Sequence, residues 1–356
     1  MTEIVVCCGV GGTGKTTTSA ALGVASALSG RRTAVLTIDP ARRLADALGL
    51  DALGNEPRPV ALPGNAAPLH ALMLDRKGTW DAVIRKFSAS EEEADRLLAN
   101  RYYRAVSTRL TGSHEYMAIE KLYELVESDE WDRVIVDTPP ARHVLDFFQA
   151  PDRVGRLLDQ SVLGVFTQPG RGLFGGATRR AVELVERVAG EAVMGEIADF
   201  FRLFSGLSPG FRARASATAK LLRSQQTLYY LVVNASSPGR NDVLGFLQTL
   251  KQEQMQFAGF LINRVAARTG ASPVMLPEEV DGMSLEQWTA WRRALSELPG
   301  HRQARRAQHI TQARELVSAA GGSPAWLIPE VEDGPRDVEG LAQLARHLPP
   351  CPPTTL

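Results

Sequence analysis

The sequence predicts an α/β fold, a mostly parallel sheet with helices on both faces, and three observations carry that expectation. Short β-branched runs alternate with longer helical stretches along the chain. Several of the runs are almost wholly apolar, as strands covered on both faces are. The first run passes through a glycine-rich turn straight into a helix-forming segment. The candidate strands, in order, are Glu3–Cys8, Thr33–Ile38, Arg133–Val136, Leu228–Val233, Ala258–Ile262 and Trp326–Ile328. Residues 1–356 read as one domain with two helical inserts, 77–126 and 151–223, and an irregular proline-rich tail, 348–356. Ser90 followed three residues later by Glu93 marks a helix start inside the first insert. The second insert carries apolar residues from Val182 to Phe204 at three-and-four spacing, the stripe of an amphipathic helix. Before it, Gly164 to Gly176 holds five glycines around Leu173 and Phe174, a loop-forming composition.

Composition narrows the function classes. Of 356 residues 44% are apolar and 22% charged, enough for a core and too hydrophobic for global disorder. Lys+Arg and Asp+Glu are 40 each, so no electrostatic case exists for a nucleic-acid or membrane binder. Three cysteines, Cys7, Cys8 and Cys351, are too few for a disulfide framework or a four-thiolate zinc site. Cys7 and Cys8 are adjacent in a strand and therefore point to opposite faces, as core residues. The longest uncharged stretches, Pro59 to Leu74 and Ser224 to Gly239, are too short and too polar to span a bilayer, and no signal-peptide pattern is visible. A cytoplasmic protein is expected.

The chemistry concentrates at Gly9-Val10-Gly11-Gly12-Thr13-Gly14-Lys15-Thr16, two glycines five apart followed by Lys and Thr. Glycines let successive backbone N–H groups turn inward around a phosphate, and the following helix adds the positive end of its dipole. Only six of the forty basic residues are lysine, and one stands here. Lys15 is suited to the β- and γ-phosphates and the Thr16 hydroxyl to Mg²⁺, so Mg²⁺ and ATP are the expected ligands. Two acids at strand ends complete the set. Asp137 can hold the Mg²⁺ hydration shell; its alternative is an ordinary strand-end turn residue. Asp39 can orient the attacking water, or else cap a helix. Arg42 and Arg43 read as solvated helix charges.

The glycine loop with Gly11-Gly12, Asp39-Pro40-Ala41 and Asp137-Thr138-Pro139-Pro140 together resemble, in order, the ArsA-type ATPases, P-loop NTPases with a deviant Walker A loop. Gly112-Ser113-His114-Glu115 and His143-Val144-Leu145-Asp146-Phe147 resemble segments flanking that family's second switch. The family includes the arsenite-pump ATPase and the guided-entry factor for tail-anchored membrane proteins, and the chain looks most like the paired ArsA-like ATPases of actinobacteria. The resemblance implies a dimeric switch ATPase in which Asp39 positions the hydrolytic water, Asp137 begins switch II and Thr17 touches the α-phosphate. It also implies that Asn263 reads the adenine and that the loop around Pro329 forms the other wall of the adenine pocket. A hydrophobic or tail-anchored client is implied as well.

Two departures qualify these implications. The family's lysine before the Gly-Gly pair is Val10 here, so a homodimer is less expected than a heterodimer with a lysine-bearing paralogue. The clustered cysteines of arsenite binding and the Cys-x-x-Cys of the targeting factor are both absent. Positioning ATPases of the septum-site or chromosome-partition type, and an anion-pump subunit, stand as alternatives. The tail cannot form the basic amphipathic helix of the membrane-positioning kind.

Overall fold

A computed structural model describes residues 1–101, 103, 113–139, 191–268, 284–331, 334–335 and 337–349. The Leu173–Phe174 loop, the Val182–Gly190 part of the apolar stripe, the His143–Phe147 segment and the end of the tail lie outside the described residues. Eight strands form one sheet, in the order β3-β4-β2-β5-β1-β6-β7-β8. They are β1 (Glu3–Cys8), β2 (Thr33–Thr37), β3 (Arg58–Val60), β4 (Leu69–Met73), β5 (Arg133–Asp137), β6 (Thr227–Asn234), β7 (Gln256–Val265) and β8 (Ala325–Pro329). Every pairing is parallel except β3 with β4. The α/β expectation holds.

All six expected strands are present. The sequence reading missed β3 and β4, and the physical reason is plain. Arg58–Val60 is a three-residue edge strand containing Pro59, tolerated only because it has one neighbour. Neither strand has the continuous β-branched run that exposed the others.

The strands separate two cores. Ile4, Val6 and Cys8 of β1 face one of them, under the helices α3 (Arg76–Phe87), α5 (Ser113–Glu127), α6 (Glu191–Leu222), α7 (Arg240–Gln252) and α8 (Leu285–Ala319). Val5 and Cys7 face the other, under α1 (Lys15–Leu28) and α9 (Val338–Ala345). The two thiols therefore do point to opposite faces. Two short helices complete the described set, α2 (Arg43–Ala47) and α4 (Glu91–Ala99). Ser90 caps α4 by accepting the Glu93 N–H at 3.2 Å.

Two rings of the second insert's apolar stripe, Phe200 and Phe204, pack inward. Phe200 and Phe211 are buried, and Phe204 bridges them through ring contacts at 5.4 and 6.2 Å. A buried ion pair pins the same helix to α5. Arg214 Nε donates to Glu120 Oε1 at 2.7 Å, while its guanidinium lies 3.9 Å from the Tyr123 ring centroid. Because α5 leads into β5, this pair ties the insert to the strand that carries Asp137.

At the other edge, His309 anchors α8 to the end of β7, where its Nδ1 accepts the Ala266 N–H at 3.2 Å and the side chain is buried. Burial, reinforced by Arg305 and Arg306 against the pull of Glu330, holds the imidazole below its usual pKa. A base depressed by folding contributes stability while neutral, above its unfolded value near 6.5, and loses it as pH falls. Relative to His309→Asn, whose amide accepts the same N–H without titrating, wild type is therefore expected to lose melting temperature as pH falls from 7.5 to 5.5. Equal slopes in the two proteins would refute this.

Candidate functional site

The carboxyl ends of β1, β2, β5 and β7 meet at one edge of the sheet, where open parallel sheets place their ligands. Between β1 and α1 the chain makes the glycine loop, and its geometry explains the glycines. Gly14 has φ +88°, and a Cβ there would sit 2.2 Å from Asn263 Nδ2. At Gly9 a Cβ would meet the Val232 carbonyl oxygen at 2.4 Å. The loop thus lies directly on its neighbours, and only glycine permits that approach.

Lys15 opens α1, and its ammonium is folded back on the loop. Nζ donates to the Gly9 and Val10 carbonyls at 3.0 and 3.2 Å. Its side chain is buried, and burial lowers its pKa against the opposing pull of Asp137. Thr16, on the next position, donates its hydroxyl to Asp137 Oδ2 at 2.8 Å. Thr37 at the end of β2 donates to the same oxygen at 3.0 Å, since parallel registry sets Thr37 and Cys7 on either side of Asp137.

Asp137 is 1% exposed, and its Oδ1 has no hydrogen-bond partner among the described residues. Burial pushes its pKa up to about 6, although the two hydroxyls and Lys15 pull it down. An acceptor buried without a donor is costly unless something positive arrives. Beside the Thr16 hydroxyl, these oxygens fit a hard divalent cation such as Mg²⁺, which keeps most of its shell as water and phosphate. Among the described residues no group of three or more His, Cys, Asp or Glu is placed to hold a metal unaided.

Asp39 follows β2 and is held at both oxygens. Oδ1 accepts the Ala41 N–H at 3.0 Å, and Oδ2 meets Arg43 Nη1 at 3.2 Å. Arg43 opens α2 as an exposed helix charge, as expected, and it also pairs with the acid and lines the cleft.

The cleft enclosed by these groups has a volume of about 700 Å³, within the range of small-molecule sites. Gly11, Gly12, Gly14, Lys15, Thr16, Thr17 and Asp39 all line it. Thr13 is buried behind the loop, its hydroxyl donating to the Val10 carbonyl at 2.9 Å. Asp137 lies behind Thr16, whose hydroxyl it accepts.

Two residues expected at the adenine pocket lie on β7 and β8. Asn263 sits inside β7, with its amide donating to the Thr13 carbonyl at 2.8 Å, and Pro329 closes β8 opposite Val265. Neither lines the cleft among the described residues. That wall is made by Arg264 with Gly334 and Pro335, none of which the sequence pattern singled out. The signal that could have marked them is a strand irregularity, which periodicity does not reveal.

The sequence matches known proteins over much of the chain. The sequence model of the anion-transporting ATPase family, ArsA_ATPase, matches residues 2–272. ATPase ARSA1 of Chlamydomonas reinhardtii is 27% identical over 291 residues, which are 72% of this chain and 34% of that protein. ATPase GET3 of Malassezia globosa is 27% identical over 191 residues, 52% of this chain and 55% of that protein. ATPase GET3 of Kluyveromyces lactis is 31% identical over 168 residues, 43% of this chain and 46% of that protein. The chain thus spans about a third to a half of the length of these curated relatives.

Proposed function

The chain belongs to the anion-transporting ATPase (ArsA) family, and from that membership and its cleft we propose that it is a Mg²⁺-dependent switch ATPase, cleaving ATP to ADP and phosphate. The observation that carries the reading is the junction of Lys15, Thr16 and Asp137 beneath a glycine loop whose Gly9 and Gly14 leave no room for a side chain. Phosphoryl transfer to water needs positioning and charge neutralisation rather than covalent help from the protein. The loop N–H groups and the start of α1 receive the phosphates, and Lys15 exchanges its two loop carbonyls for phosphate oxygens. Thr16 and Asp137 would hold Mg²⁺, which would supply charge neutralisation to the phosphates. Asp39, released from Arg43, accepts a hydrogen bond from the attacking water and aligns it with the γ-phosphorus.

The same reading extends to assembly. Val10 is 38% exposed at the front of the loop and carries no charge. This supports pairing with a paralogue that brings a lysine, over a symmetric homodimer. A hydrophobic or tail-anchored client remains part of the proposal. Phe200 and Phe204 of the stripe pack in the protein's own core, so client capture rests on the sequence around Leu173 and Phe174. No helix among the described residues is long and apolar enough to cross a membrane, and we place the protein's work in the cytoplasm.

Asp39→Asn tests the catalytic assignment. Mg²⁺-dependent hydrolysis is expected to fall by about 10²–10⁴ in kcat, with ATP affinity within a few-fold of wild type. Hydrolysis that survives the change intact would remove Asp39 from the mechanism. In its native host the slowed variant should also retain partners long enough for identification. Recovery of a lysine-bearing paralogue supports the heterodimer, and recovery of DNA-associated proteins alone favours a positioning ATPase.

A further inference from the structure

Strand β7 does not run straight to its end. Its pairing with β8 changes register between Ile262 and Val265, and inside that step Arg264 has φ +60°. Left-handed backbone disfavours a side chain that branches nowhere and caps nothing, so the surrounding structure must enforce it. A bulge of this kind re-aims consecutive side chains. Asn263 is turned under the phosphate loop, where its amide holds the Thr13 carbonyl and its Oδ1 accepts the Arg264 N–H at 2.9 Å. Arg264 is turned to the cleft, facing the same space as Gly334 and Pro335. Its guanidinium makes no hydrogen bond or ion pair among the described residues, unlike Arg43, which is held by Asp39.

The polarity of a bound nucleotide follows from the groups already placed. Asp39, Asp137 and Thr138 mark the end where the terminal phosphate and the water meet, so the nucleoside leaves the loop toward the opposite wall. That wall presents a planar cation and a proline ring, both flat partners for an aromatic base, and among the described residues no carboxylate pairs with the arginine. We propose that Arg264 is a base-facing residue, its guanidinium lying over the purine of the bound nucleotide with Pro335 on the same wall. The strained bulge is what aims it there. This inference rests on the nucleotide-binding reading above and adds the residue that reads the base.

Arg264→Gly separates the side chain from the backbone. Glycine adopts positive φ freely, and the N–H that Asn263 accepts is retained, so the bulge survives. Binding of Mg-ADP and of Mg-tripolyphosphate, which has phosphates and no base, is measured by calorimetry for wild type and variant, with thermal melts alongside. The expected result is about tenfold weaker ADP binding, unchanged tripolyphosphate binding and a melting temperature no lower than wild type. Equal loss for both ligands would make Arg264 a phosphate counter-charge and overturn the base assignment. No loss for either would leave the arginine a bystander of the bulge, which also overturns it. If wild type binds neither ligand, the ATPase reading fails first and this inference falls with it.

Discussion

Lys15→Ala is expected to lower Mg²⁺-dependent ATP hydrolysis by at least about a hundredfold and ATP affinity by at least about tenfold, with the fold retained. The expectation follows from where the ammonium sits. It is buried at the mouth of a loop, satisfied only by two carbonyls that would be equally content with water, and burial lowers its pKa. A charge kept in such a place gains much more from a triphosphate than it loses by leaving the carbonyls. Removing it costs the protein little packing, since α1 stays anchored by Ala20, Ala21 and Val24 against the sheet. Circular dichroism and a thermal melt establish the fold, and calorimetry and phosphate release give the rest. Hydrolysis within a few-fold of wild type would show that the loop is not where ATP is cleaved.

Asp137→Asn should separate stability from activity. In the ligand-free protein Asp137 is a buried carboxylate with one oxygen lacking a donor, and its pKa is pushed up to about 6. Folding therefore favours the protonated form. The stability this carboxyl allows is fully present below its unfolded value of 3.8 and is lost as pH rises through about 6. At neutral pH the ionised group destabilises the free protein by on the order of 2 to 3 kcal/mol, and the neutral amide removes that cost while still accepting from Thr16 and Thr37. The variant should melt at or above the wild-type temperature at pH 7.5 without Mg²⁺, and the difference should shrink toward pH 5. Hydrolysis should nevertheless fall at least about a hundredfold, because the amide is a poor ligand for a divalent cation. A variant that is less stable at pH 7.5 would contradict the assignment of Asp137 as an uncompensated charge.

Particular residues show why much of this fold was legible and some of the site was not. Ile4–Val6 and Val134–Val136 announce central strands because both faces are covered, so every position is apolar. Lys15, Thr16 and the glycines announce the loop because backbone geometry fixes their spacing. Asp39 and Asp137 were visible as the first charges after apolar runs. The pairing of Arg43 with Asp39 was not legible because it depends on how the turn between β2 and α2 folds. Arg264 was overlooked, and Asn263 placed differently, because both depend on a one-residue slip between β7 and β8, and periodicity is blind to a slip.

The two thiols of β1 have a practical consequence. Cys7 and Cys8 lie one on each side of the central strand, both fully buried, and burial pushes both thiols far above their ordinary pKa, Cys7 to about 12. A thiol reagent reaches neither until β1 parts from β5 and β6. With Cys351 replaced, labelling by such a reagent becomes an internal clock for the parting of the central strand, one that runs without denaturant. Because the glycine loop begins at the residue after Cys8, any ligand that grips the loop slows that clock.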